Sequence, residues 1–77
     1  MSLFVAEINT SNDQAVEAAL ETVNSTLLAI GGEFIESQVT ADHARIFAVI
    51  EHNSLLELRA DLEAAGLTVD ELALVRL

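Results

Sequence analysis

The chain contains no cysteine, proline, lysine, tryptophan or tyrosine. Without cysteine there is no disulfide scaffold and no thiolate metal cage, while the compartment stays open on that count. Without lysine, thirteen acids face three arginines, for a net charge of −10. Nucleic-acid binding rests on cationic neutralisation of phosphates, so this balance argues against it, and it disfavours anionic membrane surfaces for the same reason. The aromatics are Phe4, Phe34 and Phe47 alone, a poor supply for stacking bases or flavins, and they read as core. With no proline and three glycines, there is no linker-like or low-complexity stretch and no glycine-rich phosphate loop. Ser11, Ser25, Ser37 and Ser54 have no triad context and no nucleophile elbow. The apolar run that opens the chain stops after a few residues and has no basic leader, so neither a signal peptide nor a membrane span is expected. The expected location is cytoplasmic.

What remains is strongly apolar. Hydrophobic residues make up 52% of the 77, and a chain this short buries only roughly 60% of the surface its unfolded form exposes. Some apolar surface therefore needs a partner. A first strand is predicted over residues 3–8, with Leu3 and Val5 on one side and Phe4, Ala6 and Ile8 on the other. The polar turn at residues 9–13 is rich in helix-capping residue types. Val16, Leu20, Val23, Leu27 and Ile30 then recur at spacings of four and three, one stripe of an amphipathic helix about five turns long. Gly31-Gly32 ends it. Strands over 33–40 and 44–51, joined by a short turn at Ala41-Asp42-His43, predict a hairpin. Ser54 and Glu57 fit a capping box, opening a second helix that presents Leu55, Leu58, Leu62 and Ala65 and stops at Gly66. A last strand is predicted over 68–76.

The order is strand, helix, strand, strand, helix, strand: two split β-α-β units in one domain covering residues 1–77. The expected fold is α+β, a ferredoxin-like βαββαβ sandwich with a four-stranded antiparallel sheet and two helices on one face. Its strands are apolar on both sides. Ala44, Ile46, Ala48 and Ile50 alternate with Arg45, Phe47 and Val49, whereas a sheet solvated on one face alternates apolar with polar residues. Either Phe4 and Ile8 or Leu3 and Val5 must be left on the face away from the helices. Covering that face with a second copy predicts a two-fold homodimer packed sheet against sheet, an α+β barrel with a cavity between the sheets.

The segments Val23-Asn24-Ser25-Thr26-Leu27-Leu28-Ala29-Ile30-Gly31-Gly32 and Ser37-Gln38-Val39-Thr40-Ala41-Asp42 carry a resemblance. Together with Ala64-Ala65-Gly66-Leu67-Thr68-Val69-Asp70, they are similar to small bacterial ferredoxin-like proteins typified by a nickel-binding member and otherwise of unassigned function. Asn24, Gly31, Gly32, Ser37, Val39, Thr40 and Asp42 fit that pattern. The resemblance implies the same fold and a divalent metal, nickel, as a candidate cofactor. Two of the family's common donor positions differ here: its third-strand cysteine falls at Ile46 or a neighbour, and its second-helix histidine at Arg59 or Asp61. More distantly, the architecture is similar to the dimeric α+β barrel proteins, which include cofactor-free monooxygenases and muconolactone isomerase. The turn that regulatory ACT domains carry after strand one is absent.

The candidate chemistry is sparse. His43 and His52 are the two histidines and the candidate metal ligands. A strand rises about 3.3 Å per residue, so they should stand near opposite ends of the third strand. Neither belongs to a His-x-x-x-His or His-Glu-x-x-His spacing. Glu7, Glu36 and Arg45 are the candidate ligand-pocket residues. Glu7 and Glu36 interrupt apolar strands, and a carboxylate enclosed by a dimer would be desolvated toward a general-base range. Glu7 is predicted to share a face with Leu3 and Val5, and Glu36 with Phe34, Gln38 and Thr40, with Arg45 placed to neutralise either. The leading expectation is a small homo-oligomeric protein that binds a metal or a small apolar ligand. The alternatives are a cofactor-independent isomerase or monooxygenase of the barrel type and a structural assembly module.

Overall fold

The structure, a computed structural model, describes residues 2–10 and 13–76. Its elements are β1 (Ser2–Asn9), α1 (Asp13–Ile30), β2 (Glu33–Val39), β3 (Arg45–His52), α2 (Leu55–Ala64) and β4 (Thr68–Arg76). The strands form one sheet in the order β2-β3-β1-β4, and each neighbouring pair is antiparallel. β3 lies between β1 and β2, and β1 lies between β3 and β4, so both helix crossovers are split. This is the expected ferredoxin-like arrangement. Among the described residues no helix is long and apolar enough to cross a membrane. The capping turn expected at 9–13 falls in part on residues 11 and 12, outside the described ones.

Strand alternation settles which sheet face meets the helices. Phe4, Ala6 and Ile8 of β1 and Ile46, Ala48 and Ile50 of β3 are buried, and they join Val16, Ala19, Val23 and Leu27 of α1 and Leu58 and Leu62 of α2 in one core. One sheet face in contact with both helices means that the helices lie on the same side. The helical stripe read from the sequence is thus the buried one, with Leu20 and Ile30 at its margin. Ala65 departs from expectation. It is the C-cap of α2 and exposed, because the apolar face of that helix is complete at Leu62.

Both helices end in the same way. Gly31 takes a φ of 79°, and the N–H of Gly32 donates to the carbonyl of Leu27 at 2.9 Å, the six-to-one bond of a Schellman cap. At α2 the N–H of Leu67 donates to the carbonyl of Leu62 and that of Gly66 to Glu63. The start of α2 corrects the predicted capping box. Ser54 Oγ accepts from the Glu57 N–H as expected, but the reciprocal bond is not made by Glu57. His52 Nδ1 stands 3.2 Å from the Ser54 nitrogen instead.

Candidate functional site

The sheet face away from the helices is the candidate site. The registers lay it out as a grid. Val49 pairs with Val5 and Val5 with Ala73, and Phe47 pairs with Glu7 and Glu7 with Glu71. Leu3, Val5, Phe47 and Val49 make an apolar centre that is half-buried rather than covered. A depression of about 260 Å³ opens there, lined by Val5, Glu36, Ser37, Gln38, Phe47 and Val49.

Glu36 reaches this face through a bulge. Phe34 pairs with Ile50, the next pairing is Glu36 with Val49, and Ile35 is the extra residue. An extra residue reverses the parity of a strand beyond it. Phe34 therefore turns into the core, whereas Glu36 and Gln38 turn to the open face. This corrects the expectation that Glu36 shares a face with Phe34, while Gln38 stays with Glu36 as expected. Simple alternation through residues 33–40 hides the bulge, and Ile35, at 48% exposed, is the apolar residue whose position it explains. The consequence is that Glu7, Glu36 and Arg45 all belong to one face.

They are not equivalent there. Arg45 Nη1 stands 3.6 Å from Glu7 Oε1, with side-chain exposures of 50% and 20%. The pair is partly screened and modest in energy, but it commits Arg45 to Glu7 rather than to Glu36. Glu36 is exposed and has no ion pair among the described residues.

The histidines do not come together. His43 sits in the β2–β3 turn with a φ of 57°, and its carbonyl accepts from the buried Thr10 hydroxyl at 2.7 Å. His52 is the last residue of β3, one position beyond the predicted strand, and is 5% exposed. Its Nδ1 faces the Ser54 N–H at 3.2 Å and the Ser54 carbonyl at 3.1 Å. The two contacts ask opposite roles of Nδ1, acceptor from the N–H and donor to the carbonyl, and the ring tautomer selects between them. This histidine's ring is engaged in holding the β3–α2 junction. No group of three or more His, Asp or Glu among the described residues is placed to hold a metal ion. The donors among the described residues of one protomer therefore do not fit the divalent metal that the resemblance implies.

The hairpin motif that carries the resemblance builds its own turn. The Thr40 hydroxyl donates to Asp42 Oδ1 at 2.6 Å, the Ala44 N–H donates to the same oxygen at 3.0 Å, and the Arg45 N–H donates to the Thr40 hydroxyl at 3.2 Å. These bonds hold the Asp42 carboxyl below its ordinary value, the Thr40 hydroxyl contributing most and the Ala44 amide next. A residue not singled out for any site, Arg59, reaches from α2 to the Val69 carbonyl at 3.0 Å, and ties the helix to the edge strand. A second depression, of about 420 Å³, lies at the other side of the molecule between the first half of α1 and the α2–β4 turn, and is lined by alanines and threonines.

No family model and no curated protein matches the chain. Among solved structures it is similar to SCO4226 from Streptomyces coelicolor A3(2), with a TM-score of 0.80 and 16% identity over 99% of this chain and 98% of that one. At that identity the likeness concerns architecture, and it places the chain in the α+β, ferredoxin-like class over essentially its whole length.

Proposed function

We propose that the chain is one protomer of a two-fold homodimer that packs open sheet face against open sheet face and holds a small apolar ligand between the sheets. The observation that carries this reading is the half-buried apolar centre of Leu3, Val5, Phe47 and Val49 on a face that none of the described residues covers. Two depressions of about 260 Å³ facing one another reach the size range of ligand pockets, about 300–1,000 Å³. The edges of the sheet offer a poorer interface. β2 is bulged at Ile35 and β4 is irregular on both sides of its pairing with β1, and bulged edges resist strand addition.

Metal binding keeps only the support of the resemblance, since the two histidines stand at opposite ends of β3. The isomerase or monooxygenase alternative needs a catalytic base in the cavity; Glu7 is paired with Arg45, which leaves Glu36 as the one carboxylate lining the depression for that role. Light scattering tests the dimer. The expected mass is twice the 8.3 kDa of the protomer, falling to one protomer in Val5→Glu and unchanged in Leu56→Glu, whose leucine is 78% exposed on α2. A single protomer mass for the unaltered chain at all concentrations would refute the reading.

A further inference from the structure

The open face carries its charge unevenly. Five glutamates, Glu7, Glu33, Glu36, Glu51 and Glu71, lie on it with two arginines, Arg45 and Arg76. Arg45 is taken by Glu7, and Arg76 pairs with Leu3 on the far edge strand, β4. Glu33 stands directly across from Glu51, and Glu36 follows on β2 beside Val49. Like charges placed opposite one another across a strand pair are destabilising. One corner of the face thus holds three carboxylates with no arginine beside them, and it borders the depression lined by Val5, Phe47 and Val49.

We infer that the ligand of this face is a small organic ammonium ion, with a hydrocarbon or aryl body lying over Val5, Phe47 and Val49 and its charged nitrogen at the Glu36 corner. The inference rests on the proposed reading of this face as a ligand-holding one and adds the chemical class. Three features select that class. The floor is apolar and includes one aromatic ring, which suits a hydrocarbon or aryl body and attracts a cation. The depression, about 260 Å³, equals roughly eight to nine water volumes, room for a body of single-ring size. The carboxylates do not converge on a point that would hold a metal ion, whereas an ammonium group offers several donors that separate acceptors can share. An anionic ligand would face the same repulsion that the glutamates exert on one another.

The test compares three probes with one body and three charges: phenethylamine, 2-phenylethanol and phenylacetate. Binding is read at neutral pH from the methyl resonances of Val5 and Val49, with light scattering on the same samples. The expected order is amine, then alcohol, then acid, with the amine at least tenfold tighter than the alcohol. In Glu36→Gln the preference for the amine should fall several-fold, and in Glu17→Gln, on exposed helix surface, it should not change. Equal binding of amine and alcohol, an amine preference untouched by Glu36→Gln, or no binding at all would overturn the ligand class. A dimer mass in those cases leaves the sheet-to-sheet assembly standing, whereas a protomer mass removes both.

Discussion

At Gly32 a Cβ would stand 2.9 Å from Leu27 Cδ2, 3.1 Å from the Glu51 carbonyl oxygen and 3.2 Å from His52 Cδ2. The leucine methyl can turn aside, but the backbone oxygen cannot, so the close approach of the α1–β2 turn to the end of β3 requires glycine. Gly32→Ala should lower stability by about 1–3 kcal/mol, read as a shift of the urea midpoint at unchanged slope. The same junction depends on His52. Its removal leaves a cavity and takes the ring partner from the Ser54 backbone, at a cost of about 1–3 kcal/mol, and His52→Ala should show that loss by urea unfolding. An unchanged midpoint would mean that water replaces the ring without cost. The Gly-Gly stop was legible in the sequence as a helix terminus, but the close approach was not, because it involves residues about twenty positions away. His52 was misplaced for a related reason. A polar residue next to Asn53 and Ser54 reads as loop, and only the register of β3 with β1, in which His52 pairs with Ser2, shows it to be the last rung of the sheet.

The elements themselves were the most legible part. The two helices end where their glycines predict, and every strand lies within a residue or so of its predicted span, since the caps and the apolar stripe are local signals. Sheet-face assignment was not legible in β1 and β3, which are apolar on both sides. Nor was the Ile35 bulge, although that one residue decides that Glu36 joins Glu7 on the open face. The Thr40–Arg45 turn makes a prediction at this scale. Asp42 is fully exposed, and its carboxylate is held low by bonds that exist only in the folded hairpin. A depressed carboxyl contributes above its ordinary value, and the contribution is lost as pH falls through the folded value, in the acid region below about 4. A carboxyl titration followed by NMR should place the Asp42 midpoint below 3.8, with the Ala44 amide moving at the same pH. In Asp42→Asn the acid-induced shift of Ala44 should vanish. A midpoint at or above 3.8 would show that the turn bonds do not persist in solution.

For the whole molecule, the apolar excess and the acidic excess act against each other. The face that most needs covering carries five glutamates and two arginines, so two copies brought together repel at their rims while their centres attract. Screening weakens the repulsion over a Debye length of about 10 Å at 0.1 M salt and leaves apolar burial in place. Self-association should therefore tighten as sodium chloride rises from low millimolar to several hundred millimolar, seen as a fall in the dissociation constant by sedimentation equilibrium. Weakening with salt would instead indicate an interface held by ion pairs. The most direct test of the account is the solvent accessibility of individual methyl groups, measured by relaxation enhancement from a soluble paramagnetic probe. Covered sheet faces predict that Leu3, Val5 and Val49 are strongly protected while Leu28 and Leu56 on the helices are fully relaxed, with the protection lost on dilution to protomer. Equal relaxation of the sheet-face and helix methyls at concentrations where the protein is a dimer would contradict it, because the copies would then meet through some other surface.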